Sequence, residues 1–163
     1  MSAAIFFIAF LVVQRLSELV LAKRNTQRLL ERGAYEVGAG HYPLMVAVHG
    51  AFVVAIAAFG YDQPVNHFFL AVYVLLQVFR IWILTSLGER WTTRIIIIDE
   101  PLIARGPYRF IKHPNYVLVV GEIFVAPMVL GLFWVAIVFS ILNLCLLAIR
   151  IPAENAALAK IRP

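Results

Sequence analysis

Long apolar stretches bounded by charged or turn-forming residues constrain this chain more than any other feature. A helix needs about 20 mostly apolar residues to cross a bilayer, within a range of roughly 17–25. Residues 3–22, 43–60 and 67–87 each meet that requirement. Residues 116–151 form a longer run, too long for one crossing and adequate for two short ones. Gly131 near its middle is a natural turn, and Pro127 removes a backbone donor, so it kinks or ends the helix there. The pattern predicts five membrane helices, at 3–22, 43–60, 67–87, 116–131 and 132–151, the last two a tight hairpin.

Composition agrees. Of 163 residues, 63% are hydrophobic and 14% charged, where soluble domains run at roughly 45–50% and about 25%. A chain this short cannot hide so much apolar surface from water. The expected fold is one all-α integral-membrane domain over residues 1–163. The apolar N-terminal stretch has no basic residues before it and no small-residue cleavage site after Leu21, so it reads as a retained first span. Cys145 alone supports no disulfide framework or cysteine metal site and reads as a small buried hydrophobe.

Basic residues set an orientation. Lys23, Arg24, Arg28 and Arg32 follow the first span; Arg90, Arg94, Arg105, Arg109 and Lys112 follow the third; Arg150, Lys160 and Arg162 close the chain. The connections at 61–66 and 131–132 have none. The positive-inside rule then puts the N-terminus outside and the C-terminus in the cytoplasm. The isoelectric point of about 9.7 reflects this orientation and contact with anionic lipid. Aromatic and basic residues do not interleave as a nucleic-acid groove requires, so no nucleic-acid partner is expected.

Arg15, Glu18, Arg80 and Glu122 fall inside predicted spans, where a charge costs about 2.5–3.5 kcal/mol and must face protein or a wet cavity. Arg15 and Glu18 are one turn apart and form a ready pair. Glu122 has no partner nearby in sequence and reads as functional. Thr26 to Ala34 has helical character. Gly38-Ala-Gly40 lacks the preceding strand and third glycine of a dinucleotide fingerprint. His41 and His49 have no acidic partner at ligand spacing, so no metal is expected. The β-branched run Arg94 to Asp99 predicts a short extended segment, with a small hairpin returning through Leu102–Ala104. Such a segment cannot lie exposed in lipid and should cap the cytoplasmic surface.

The densest chemistry is Arg105-Gly-Pro-Tyr-Arg-Phe-Ile-Lys-His-Pro-Asn-Tyr116. Gly106-Pro107 and His113-Pro114 each break regular structure, and the segment reads as a site held at the membrane surface. Farther on, Arg150 and Glu154 are i and i+4 and share one helix face. Pro152 between them should start a new, short cytoplasmic helix.

Gly106 to Tyr116, then Glu122, then Arg150-Ile151-x-x-Glu154 after a helical hairpin, resembles the isoprenylcysteine carboxyl methyltransferase family over roughly residues 80–159. His41 to Met45 with His49, and Gly88 to Ile96, resemble a bacterial branch taken to O-methylate long-chain alkylpyrones or alkylresorcinols. The resemblance implies an S-adenosylmethionine-dependent membrane enzyme. It also implies that Tyr108, His113, Pro114, Tyr116, Arg150 and Glu154 form the cofactor pocket. The family commonly has two adjacent Glu residues where this chain has Glu154 and Asn155, which leaves Glu154 as the sole acid there.

The residues suit that chemistry. A sulfonium methyl is already activated, so alignment is the main demand on the protein. Aromatic faces such as Tyr108 and Tyr116 attract a sulfonium. Arg150 suits a carboxylate. Arg80, Glu122 and Trp91 are expected beside the acceptor head group, with Arg80 and Glu122 the candidate catalytic residues. The expected acceptor is a lipid-tailed or prenylated molecule bearing a carboxylate or acidic hydroxyl, and membrane lipid is the surrounding partner. The alternatives are a phospholipid amine methyltransferase, or a small transporter or accessory subunit without catalysis. A transporter favours polar residues at the bilayer midplane, whereas this chain gathers them toward the cytoplasmic ends.

Overall fold

The computed structural model describes residues 3–161. Met1, Ser2, Arg162 and Pro163 lie outside the described residues, so the place of Arg162 in the charge pattern is a sequence reading only. The helices are α1 (Ala3–Glu31), α2 (Tyr42–Gly60), α3 (His67–Leu87), α4 (Pro114–Met128) and α5 (Phe133–Leu158). Two short strands, β1 (Tyr35–Val37) and β2 (Ile95–Ile97), are the sheet content of the described residues. This is an all-α membrane architecture.

Four segments are long and apolar enough to cross a bilayer: Ala3–Glu31, Ala39–Gly60, His67–Arg90 and Phe133–Leu158. α4 has 15 residues, about 22 Å at 1.5 Å per residue, short of a hydrocarbon core about 30 Å thick. It nevertheless traverses the bundle. The Asn66 N–H donates to Val129 O at 2.7 Å, which ties the α2–α3 connection to the α4–α5 turn at one end of the molecule. Gly131 makes that turn with φ +67, the left-handed region glycine enters without steric cost. The Asn66 side chain caps α3 by accepting from Phe68 N and Phe69 N at 3.0 and 3.2 Å, satisfying two of its free donors.

The apolar core is thickest at this end. Phe7, Leu11, Phe52, Ile56, Tyr73, Ile123 and Val129 form one buried cluster. Phe6, Val20, Phe68, Leu75 and Trp134 point outward and are exposed, the pattern of side chains that face lipid. The strands, the α3–α4 connection and most of the basic residues lie at the opposite end.

The helical character expected at 26–34 is present as far as Glu31, as the unbroken continuation of α1. Three expectations are corrected. Ile95–Ile97 does not fold back on 102–104; it pairs antiparallel with Tyr35–Val37, Tyr35 opposite Ile97. That pairing buries Ile95 and Ile97 against Ala157 of α5, while Leu102 stays exposed. Pro152 starts no new helix, since α5 continues through it to Leu158. The packing of Ala157 on the strands holds the last turns in line despite the backbone bond that proline removes. Cys145 is exposed, on the outer face of α5.

Candidate active site

All five helices approach one cavity of about 410 Å³ at the polar end, roofed by the β2 connector. Its two ends differ in character.

The end nearest the strands is built from the α3–α4 connection and the C-terminal arm of α5. A 3-10 turn at Gly106–Arg109 carries Tyr108. Gly106 has φ +58, and a Cβ there would lie 2.0 Å from Ser86 Oγ, so only glycine lets the turn sit directly on α3. Arg105 Nε fixes it by donating to Ser86 O at 2.8 Å. Pro114 opens α4 at a position where a missing N–H costs nothing. It is buried in the helix start and is not on the cavity wall. Its work is to aim His113 and Tyr116.

Those two side chains meet α5. Tyr116 Oη donates to the Glu154 carboxylate. His113 Nε2 donates to Asn155 Oδ1 at 2.9 Å, and His113 Nδ1 lies 3.8 Å from Glu154 Oε1. The His113 and Tyr116 rings are 5.4 Å apart. Asn155 is thus a fixed acceptor that sets the tautomer of His113, a role that needs no charge. Tyr108 also lines the wall. Burial pushes its phenol pKa up, and the nearby Glu154 charge adds to the shift, so Tyr108 stays a protonated hydrogen-bond donor.

Arg150 lines the same cavity and is 6% exposed. Its Nη2 donates to Thr93 O at 3.0 Å and its Nη1 lies 3.1 Å from Met45 Sδ. Nε has no partner among the described residues. Among the described residues no carboxylate pairs with this buried guanidinium, which leaves its charge under-compensated.

The deeper end holds a closed charge network. Arg80 Nε donates to Glu122 Oε1 at 2.8 Å, and Arg80 Nη2 to its other oxygen. Arg80 Nη1 lies 2.6 Å from Glu18 Oε1. Arg15 bridges Glu18 and Glu122, both at 2.9 Å. Gln77 donates to Glu122 at 2.9 Å, Gln14 to Gln77 at 2.8 Å, and Tyr73 to Gln14 at 2.9 Å. Two cations and two anions cancel, and the amides complete the geometry. Arg15, Glu18 and Arg80 line the cavity. Glu122, 0% exposed, stands behind the wall and anchors Arg80. Its partners come from α1 and α3, beyond the reach of local sequence.

Sequence reasoning missed several residues. Asn143 is 2% exposed, lines the cavity, and its Nδ2 has no acceptor among the described residues. The available signal was its position seven residues before Arg150 on the same face of α5. Asn25 donates to Trp91 O at 2.8 Å and so pins the connector that roofs the cavity. Trp91, expected near the head group, is buried and does line the wall.

Comparison with known proteins adds the family. Residues 69–160 match the model of the Isoprenylcysteine carboxyl methyltransferase (ICMT) family. The chain is 38% identical to the uncharacterized protein YpbQ of Bacillus subtilis (strain 168), over 93% of this chain and 94% of that protein. It is 26% identical to an uncharacterized protein of Haemophilus influenzae, over 95% and 94%. No solved structure matches. The matched span holds Tyr108, His113, Tyr116, Arg150 and Glu154. The chain belongs to the isoprenylcysteine carboxyl methyltransferase family and is a multi-pass membrane methyltransferase.

Proposed function

We propose that this protein transfers the methyl group of S-adenosylmethionine to an oxygen of a lipophilic acceptor held in the membrane, a carboxylate or an acidic hydroxyl. The carrying observation is the convergence of Tyr108, His113 and Tyr116 with Arg150 and Glu154 around one cavity. These side chains fit the donor's groups. Arg150 has buried, under-used guanidinium hydrogens for a carboxylate. Glu154 suits the amino group or ribose hydroxyls. Tyr108 and Tyr116 offer aromatic faces to a sulfonium. S-adenosylmethionine supplies a methyl already activated for displacement, so the protein's own task is alignment and exclusion of water.

The acceptor head group is assigned to the deeper end. Arg80 faces it, and Glu122 positions Arg80 from behind. Val12 and Leu16 of α1 with Val46, Gly50 and Val53 of α2 line that end. Leu16 and Val46 are exposed at the bundle surface, so a hydrocarbon tail has an apolar route from lipid between α1 and α2. The orientation follows the basic residues: the cavity mouth and C-terminus in the cytoplasm, the α4–α5 turn outside, the inner membrane as the location.

The test is a transfer assay. Protein in detergent is incubated with methyl-labelled S-adenosylmethionine and candidate acceptors, a farnesylated cysteine and a long-chain alkylphenol among them. Label should move into the organic phase in a methyl ester or methyl ether. Label found only in phospholipid amines, or in nothing, would contradict O-methylation.

A further inference from the structure

We infer that His49 is the base that removes the proton from a hydroxyl acceptor, with Asn143 holding the same oxygen. The inference rests on the proposed methyl transfer and adds a catalytic residue to it. His49 lies outside the family-matched residues 69–160. It shares a cavity-lining face of α2 with Val46, Gly50 and Val53.

Tautomer is the first argument. His49 Nδ1 lies 2.9 Å from Met45 O. A carbonyl oxygen can only accept, so Nδ1 carries the hydrogen. The neutral ring then keeps its lone pair on Nε2. Nothing among the described residues hydrogen-bonds Nε2, and the side chain lines the cavity. The protein has fixed one ring nitrogen with its own backbone and left the basic one open.

Position is the second argument. His49 is seven residues into α2 from Tyr42, about 10 Å along the axis. Arg80 and Asn143 are each seven residues from a residue at the polar end of their helices, Leu87 and Arg150. All three line the cavity, each about two helical turns farther from the polar end than Tyr42, Leu87 and Arg150. Asn143 comes from α5, which packs on α2. Its Nδ2 is buried and without an acceptor among the described residues, which is unfavourable until an oxygen arrives. The charges around His49 are Arg15 from α1, Arg150 from α5 and Glu122 from α4. The carboxylate among them is closed off by Arg15, Arg80 and Gln77. Glu18 is likewise held by Arg15, Arg80 and Gln14, so among the described residues no acid of the cluster is left free to take a proton, which leaves the imidazole.

The step balances. The hydroxyl proton moves to His49 Nε2 as the acceptor oxygen forms its bond to the methyl carbon and the methyl–sulfur bond breaks. The sulfonium becomes a neutral thioether, the product is a methyl ether, and the imidazolium releases its proton to water. A carboxylate acceptor, already ionised, has no use for this base.

His49→Gln separates the possibilities. Three acceptors are compared: an alkylphenol, its ring-fluorinated analogue with the same tail that is ionised in neutral solution, and a farnesylated cysteine carboxylate. The variant should lose about 100-fold or more of kcat on the phenol and keep near wild-type turnover on the fluorinated phenol. Equal losses on both phenols, or none on either, would overturn the base role. So would a wild-type protein that methylates only the carboxylate. Calorimetry with S-adenosylmethionine checks the fold, and the variant should bind as the wild type does. A wild-type protein that binds no S-adenosylmethionine would instead sink the donor pocket itself. In donor-free protein, alkylphenol binding should also shift the Nε2 nitrogen resonance of His49 and leave His41 unmoved. A response at neither ring would count against the assignment.

Discussion

The rim of the polar end and the charge cluster beneath it use the same residue types under opposite conditions. At the rim, Arg28 and Arg32 reach Glu89, Arg32 and Arg90 reach Glu100, and Arg94 reaches Glu36. These side chains meet solvent, and water screens each pair. Deeper in, Arg15, Glu18, Arg80 and Glu122 bond one another with at most 19% of any side chain exposed. Two carboxylates share two guanidiniums, and Gln14, Gln77 and Tyr73 fill the remaining positions. The rim fastens the α1 end to the β2 connector in small increments. The deep cluster is closed, so the loss of one member strands another in a low-dielectric setting.

Breaking the deep cluster should have the largest effect. Arg80→Met leaves Glu122 with Arg15 as its one guanidinium partner beside Gln77 and should cost about 3–5 kcal/mol, read by thermal unfolding in detergent. Replacing Arg80 and Glu122 together by apolar residues should cost less than the sum of the two single changes. A loss below about 1 kcal/mol for Arg80→Met would show that the cluster behaves like a surface pair.

Glu89→Gln at the rim should cost less than about 1 kcal/mol, and the difference should vanish in high salt. A large, salt-insensitive loss would erase the distinction between the regions.

The smallest effect is a pH response. Hydrogen bonds from Arg90 and Arg32, with their charges, hold the Glu100 carboxyl below the usual carboxylate range. A depressed folded value gives stability that is present above the unfolded value and lost as pH falls through the folded one. The connector carrying β2 should therefore loosen as pH drops below about 4, seen as faster amide exchange at Ile95–Ile97. Glu100→Gln should remove that acid response, and an unchanged response would assign it elsewhere.

Much of this was legible in the sequence because the bilayer permits few solutions. The starts and ends of α2 and α3 fall within a residue of the apolar runs, and Pro127 and Gly131 mark the hairpin turn. The Tyr108, His113, Tyr116, Arg150 and Glu154 grouping was legible through the family's motif and the i, i+4 spacing. What escaped notice was long-range. Tyr35–Val37 pairs with a strand some sixty residues away, so no local pattern announces it. The partners of Glu122 lie on α1 and α3. Pro152 failed as a boundary because the packing of Ala157 on Ile95 and Ile97 outweighs the local rule. Cys145 faces outward because in lipid the apolar side of a helix is its exposed side, the inverse of the rule for soluble proteins.

The donor pocket at the polar end is tested most directly by calorimetric titration of S-adenosylmethionine into the detergent-solubilised wild type, Glu154→Ala and His113→Ala. The account predicts saturable binding to the wild type and a weakening of about tenfold or more in each variant, roughly 1.4 kcal/mol. Undiminished affinity in both variants would contradict it.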